Sequence, residues 1–247
     1  KSKQVAPEYK YFKDISLENR IKFVHREDDF NDFERDKLIY HMRSTEGPRM
    51  CRGDVNGDGL DDIYIGGAKG QPGELMIQRR NGNFEPVDKS LFEEDKISED
   101  TDCAFFDADV DGDNDLYVAS GSNQFPESSS ALGDRLYLNN GKGHFEKSKQ
   151  VLPAGKYEST SCVRAQDFDN DGVMELFVGI RLKPFLYGVP VSSYILENDG
   201  KGKFTNVTQQ IAPELKMRAL PHLSQPREET RLPPLRQGLR AARGLPS

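Results

Sequence analysis

The chain is poor in the residues that carry most enzyme chemistry. It has no tryptophan and only four histidines, scattered at His25, His41, His144 and His222. These read as ordinary surface or core residues, not as catalysts. No Gly-rich phosphate loop, Gly-x-Ser-x-Gly elbow or His-Glu-x-x-His motif occurs. Ser128–Ser130 have no neighbouring His, so a nucleophile there has no base. There are three cysteines, Cys51, Cys103 and Cys162. An odd number excludes a fully paired disulfide framework, and the lack of a Cys-x-x-Cys or His cluster argues against zinc at these thiols. They are expected to pack as small apolar residues. The net charge of −7 comes with no clustered basic face in the body of the chain, so nucleic acid is not an expected partner. No run of about eighteen apolar residues is present, so no membrane-spanning helix is expected. No signal peptide is visible, but the chain opens on Lys1, which makes that silent about export.

What is abundant is aspartate, in one short pattern written three times. It reads Asp54-Val-Asn56-Gly-Asp58-Gly-Leu60-Asp-Asp62, then Asp107-Ala-Asp109-Val-Asp111-Gly-Asp113-Asn-Asp115, then Asp167-Phe-Asp169-Asn-Asp171-Gly-Val173-Met-Glu175. Oxygen side chains fall at loop positions one, three, five and nine, with Gly at six, where the chain must turn sharply. A short loop wraps a hard cation with six to eight oxygen ligands in this way. Position seven varies (Leu60, Asp113, Val173), as expected if only its backbone carbonyl binds. An EF-hand begins alike but needs a bidentate Glu at position twelve and flanking helices. Here position twelve is Ile65, Val118 or Val178, in the strand-like runs Ile63–Ile65, Leu116–Val118 and Leu176–Val178. The competing reading is an acidic surface turn that binds nothing. Three copies in one register weigh against it.

Around each loop the same order of strands is predicted. Copy one has a strand carrying Cys51, then the loop, Ile63–Ile65, a strand over Glu74–Gln78, the turn Asn81-Gly82 and a strand over Asn83–Val87. Copy two has Cys103–Phe106, Leu116–Val118, an insert from Gly121 to Gly133, Arg135–Leu138 and His144–Glu146. Copy three has Cys162–Ala165, Leu176–Val178, an insert, Ser193–Leu196 and Lys203–Thr208. The first aspartates are separated by 53 (107 − 54) and 60 (167 − 107) residues. Four short strands at such a period predict propeller blades; a β-sandwich with coincidental loops is the alternative. Upstream, strands are predicted over Tyr11–Ser16, the tail of an earlier partial copy, and over Ile21–Val24. The charged stretch His25–Asp36 is expected as a short helix or long loop, with Asp28, Asp29 and Asp32 on a solvated acidic face rather than on a metal.

The Asp-rich loop, the apolar strand after it, the Leu-Tyr-x-Asn strand and Gly-x-Gly-x-Phe together resemble the FG-GAP and VCBS repeats, the blades of integrin-α-like β-propellers. The resemblance covers about residues 9–216. It implies an all-β, partial β-propeller of four-stranded blades with about three calcium sites. The ligands it implies are Asp54, Asn56, Asp58 and Asp62; Asp107, Asp109, Asp111 and Asp115; and Asp167, Asp169, Asp171 and Glu175. Glu175 departs from the pattern as a longer carboxylate. Gly66–Gly73, Arg181–Pro184, Tyr187–Pro190 and Ser193–Asn198 look like the bacterial secreted group akin to cartilage acidic protein, which carries an ASPIC/UnbV domain.

The expected division is 1–48, the end of a preceding blade plus a charged loop; 49–215, three blades; and 216–247, a basic Pro/Arg/Leu-rich tail. Residues 216–247 hold seven Lys/Arg against Glu228 and Glu229, and no aromatic residue. That composition is disorder-like and suggests a truncated or out-of-frame end; a basic arm is the alternative. Arg52-Gly53-Asp54 spells an integrin-recognition tripeptide, but its Asp is a loop ligand. Asn206-Val-Thr208 spells a glycosylation sequon, but also ends a strand. The expected function is a calcium-stabilised, secreted or cell-surface module that binds protein or glycan. Phe125, Arg181, Phe185 and Tyr187 of the inserts are the candidate contacts. The alternative is a polysaccharide-acting hydrolase or lyase with a catalytic metal in the loops.

Overall fold

The computed structural model describes residues 18–186 and 188–215. The segment Tyr11–Ser16, Tyr187 and the tail 216–247 lie outside the described residues. Among the described residues, twelve strands form three four-stranded antiparallel sheets, each in plain sequence order. The first holds β1 (Met50–Gly53), β2 (Asp62–Ile65), β3 (Glu74–Gln78) and β4 (Phe84–Val87). The second holds β5 (Asp100–Phe106), β6 (Asp115–Ser120), β7 (Arg135–Asn139) and β8 (Phe145–Lys147). The third holds β9 (Ser159–Gln166), β10 (Glu175–Leu182), β11 (Tyr194–Asn198) and β12 (Phe204–Asn206). The all-β expectation and the four-strand repeat are thus met. Among the described residues the sheets do not close on themselves.

The sheets stack face to face, and the alternation of side chains across a strand decides which neighbour each residue meets. In β6 all six residues are buried. Leu116 and Val118 join Tyr64, Leu75, Phe92 and Cys103 between the first and second sheets. Tyr117 and Ala119 point the other way, to Val163, Leu176, Val178 and Leu196 of the third. This two-sided burial explains why Leu116-Tyr-Val-Ala119 reads as a continuous apolar run rather than an alternating one. Each fully buried aliphatic side chain contributes roughly 1.5–3 kcal/mol. The first strands β1, β5 and β9 are neighbours along the stack. The outer face of the third sheet is covered: Ile195 packs with Val207, Ala212, Ile211 and Leu215.

Buried tyrosines tie the interfaces with polar bonds, since a buried hydroxyl needs a partner. Tyr64 donates to Asp100 at 2.9 Å, Tyr117 to Asp134 at 2.8 Å and Tyr137 to Asp95 at 2.7 Å. Asp100 also accepts from Gly67 N and pairs with the buried Arg135. A one-turn helix, α2 (Lys89–Glu93), links the first two sheets. It sets Phe92 between Tyr64 and Tyr137, at ring-centroid distances of 5.3 and 5.2 Å.

Two upstream expectations are corrected. Ile21–Val24 forms no strand. At its end the Gln71 amide donates to Val24 O at 2.8 Å and accepts from N of Arg26, two residues on, at 2.7 Å. An isolated side-chain amide satisfies one C=O and one N–H without starting a ladder. Second, Asp32 is fully buried rather than solvated, at the start of the short helix α1 (Asp32–Arg35). It accepts from Arg43 N, Ser44 N and Ser44 Oγ at 2.6–2.8 Å, folding residues 36–44 back on the helix. Asp28 is also engaged, by Lys69 Nζ at 3.0 Å and Gln124 Nε2 at 3.0 Å. Asp29 is exposed, as expected.

Candidate metal centre

Each Asp-rich loop joins the first and second strands of its sheet, so all three lie at one end of the stack. The position-one carboxylate organises the turn. Asp54 Oδ1 accepts from Gly57 N at 2.8 Å, and Oδ2 from Gly59 N at 2.8 Å. Asp107 accepts from Val110 N at 2.7 Å and Gly112 N at 3.1 Å, and Asp167 from Asn170 N at 2.6 Å and Gly172 N at 3.0 Å. Position six needs glycine: φ is +83°, +95° and +89° at Gly59, Gly112 and Gly172, where an L side chain is strained. Position four is left-handed too, at Gly57, Val110 and Asn170. The sequence pattern did not reveal this, because position four is not restricted to glycine.

Position nine closes each loop from inside. Asp62 and Asp115 are fully buried, and Glu175 nearly so. Asp62 accepts from Val55 N at 3.0 Å and, across the sheet, from Gln78 N at 2.7 Å. Asp115 repeats this with Ala108 N and Asn139 N, both at 2.7 Å. Glu175 accepts from Phe168 N at 2.8 Å. Position five caps position seven: Asp58, Asp111 and Asp171 accept from the N–H groups of Leu60, Asp113 and Val173 at 2.9, 3.1 and 2.9 Å. At position three, Asn56 accepts from Asp58 N at 3.0 Å and Asp169 from Asp171 N at 3.2 Å.

The carboxylates converge. One oxygen each from Asp107, Asp109 and Asp115 lies within 4.8 Å of the others, and the same holds for Asp167, Asp169 and Glu175. Asp109 Oδ1 and Asp113 Oδ1 are buried with no hydrogen-bond partner. Crowding shows in the acidities. Burial, with Asp109 and Asp113 adding like charge against the Asn139 and Ala108 N–H groups, pushes Asp115 up to about 7. Burial and the field of Asp169, Asp171 and Asp167 push Glu175 to about 7, and burial plus Asp111, Asp109 and Asp107 push Asp113 to about 6. Burial also raises Asp62 and Asp109. Asp54 goes the other way: burial raises it, but N–H groups led by Gly59 and Gly57 outweigh that. An all-oxygen, multiply anionic cluster with unpaired buried oxygens is chemistry that suits a hard cation.

The next copy buttresses each of the first two loops. Asn139 Nδ2 donates to Val55 O at 2.7 Å and Asn114 O at 3.0 Å, and Asn198 Nδ2 to Ala108 O at 2.8 Å and Met174 O at 3.1 Å. Asn114 Nδ2 reaches back to Asp54 O at 2.8 Å. The Asn of the Leu-Tyr-x-Asn pattern is therefore the tie between one copy's third strand and the preceding copy's loop. The motif marked its position but not its partner.

The insert residues lie at the opposite end. Phe125 is buried with Ala131 and Leu132, and Lys69 Nζ sits 5.7 Å from its ring centroid, so its ring is core rather than a surface contact. Arg181 pairs with Glu46. Phe185 is 42% exposed, with the Arg35 guanidinium 4.4 Å from its ring centroid. Residues 28–46 therefore cross over the inserts. All three cysteines are free, Cys103 buried and the others half-buried on first strands.

A four-stranded sheet repeated three times, each with the same acidic loop, defines an all-β repeat protein. The family model of the FG-GAP-like repeat matches residues 54–118 and 107–178, each match running from one acidic loop through the strand after the next. Together these cover 125 residues (178 − 54 + 1) of 247, and the chain belongs to the FG-GAP-like repeat family. No curated protein matches the sequence.

Proposed function

We propose that the three loops are calcium sites and that the sheets are consecutive blades of a partial β-propeller, serving as an extracellular binding or scaffold module. The observation that carries the calcium reading is the second loop, where Asp107, Asp109 and Asp115 converge and two buried carboxylate oxygens lack any partner. The ligands are Asp54, Asn56, Asp58 and Asp62, with their counterparts in the other loops, and the carbonyls of Leu60, Asp113 and Val173. The ion neutralises the clustered charge and locks each loop, so its binding free energy is folding free energy. Millimolar extracellular calcium suits exposed loops of this kind, which supports a secreted or cell-surface location. The blade reading is supported by the stacking of in-order sheets through their first strands. No helix among the described residues is long and apolar enough to cross a membrane.

The partner is a protein or glycan taken up at the end opposite the metal loops. Leu38, Tyr40, Phe185 and Leu186 are exposed there, and exposed apolar side chains gathered at one end mark interaction surfaces. Calorimetric titration tests the metal reading: the wild type takes up about three calcium ions, and Asp109→Ala takes up one fewer. Equal stoichiometry in the two proteins refutes the assignment of the second loop.

A further inference from the structure

Away from the acidic loops, a second and chemically different cluster lies where the N-terminal segment crosses the junction of the first two sheets. His25 and Glu27 come from that segment, and Glu99 immediately precedes β5. One donor atom from each lies within 4.8 Å of the others. Glu99 is 2% exposed. Its Oε2 accepts from Lys69 N at 2.9 Å, while its Oε1 is buried with no partner. His25 Nε2 lies 2.7 Å from Glu27 Oε1, and His25 Nδ1 is also buried with no partner. The imidazole is held in place: a Cβ on Gly47 would stand 2.9 Å from Cε1 and 3.0 Å from Nε2.

Among the described residues, the cations of Lys69 and Arg135 are already engaged. Lys69 Nζ bonds Asp28 at 3.0 Å and Gln124 Oε1 at 2.6 Å, and Arg135 pairs with Asp100. Glu99 therefore has a buried, half-satisfied carboxylate with Glu27, Asp28 and Asp100 around it. A buried polar atom without a partner costs free energy unless something fills the role.

We propose that His25, Glu27 and Glu99 form a zinc site that fastens the N-terminal segment to the junction of the first two sheets. Imidazole plus carboxylates is a nitrogen and oxygen donor set that suits zinc and related first-row ions, whereas calcium takes oxygen alone. Zinc holds such ligands at about 2.0–2.2 Å, and three protein ligands leave a fourth position for water. Glu27, 26% exposed in its side chain, stands on the solvent side of the cluster. In this site the ion replaces the His25–Glu27 hydrogen bond and supplies the positive charge that Glu99 lacks. The site is independent of the calcium reading, since it shares no residue with the loops.

The test is zinc retention by the full chain, measured by elemental analysis after dialysis with millimolar calcium present to saturate the loops. The wild type and Asp109→Ala each retain one zinc per chain, while His25→Ala and Glu99→Gln retain less than a tenth of that. Zinc also raises the melting temperature of the wild type but not of His25→Ala. If Glu99→Gln does not fold, Glu27→Gln replaces it, with at least tenfold weaker retention expected. A wild type that holds no zinc, or a His25→Ala variant that holds as much as wild type, overturns the proposal.

Discussion

Val110 occupies a backbone conformation that its side chain resists. Its φ is +63°, left-handed, at loop position four. The first loop places Gly57 there and the third Asn170, the residue types that tolerate this region. A β-branched residue is disfavoured at positive φ, and Val110 is 53% exposed, so it buries little in return. Val110→Asn is therefore expected to stabilise the protein by about 0.5–1 kcal/mol, on the scale of left-handed strain relief. Chemical denaturation with and without calcium checks this, and a loss of stability would mean that the Val110 contact near Gly200 outweighs the strain.

At the scale of the element, the ties between copies make the loops part of a continuous structure. Asn139 is 8% exposed and satisfies two carbonyls of two different loops. Asn139→Ala leaves Val55 O and Asn114 O without that donor, and is expected to cost about 1–3 kcal/mol. Equilibrium denaturation measures it; an unchanged midpoint would show that water replaces the amide freely. The inner strands were legible because they are short apolar runs beside loops with strong turn chemistry. The outer strands Phe84–Val87, Phe145–Lys147 and Phe204–Asn206 are not continuous apolar runs and were marked by the turn before them and the Phe that opens them. The last stops at Asn206 instead of running to Thr208, which starts the short helix α3 (Thr208–Ile211). Glu74–Gln78 forms over its predicted span. Ile21–Val24 was not legible, since its alternation is that of a strand but its neighbour is the Gln71 amide rather than another strand. The acidic side chains that converge in the loops were legible because their spacing is local. Asp32, the Asn139 tie and the His25–Glu27–Glu99 cluster were not: their partners lie 12, 84 and 72–74 residues away in sequence. Contacts of that range depend on how the sheets stack.

At the scale of the whole molecule, buried carboxylates between sheets make stability respond to pH. Asp134 is 4% exposed and accepts from Tyr117, Ser120 N and Thr160, the last reaching across from β9. Burial pushes it up to about 7 against those hydrogen bonds and Arg135. Unfolded, the same group titrates near its ordinary 3.8. The folded state thus holds an extra proton between about 4 and 7. The associated stability is fully present below pH 4 and is lost as pH rises through 7. Urea denaturation across that range should show the wild type losing stability toward pH 7 relative to Asp134→Asn, whose amide does not titrate. Parallel profiles for the two proteins would place the Asp134 acidity near its ordinary value.

The central claim is that the three acidic loops are structural calcium sites. Thermal unfolding of the whole chain in millimolar calcium, in chelator and in magnesium tests it directly. Each site filled at a hundredfold excess over its Kd adds about 2.7 kcal/mol. Calcium is therefore expected to raise the melting temperature by several degrees, with a much smaller rise in magnesium, which demands tighter octahedral geometry. A cooperative transition at the same temperature in calcium and in chelator would contradict the claim and leave the loops as acidic turns held by their own backbone N–H groups.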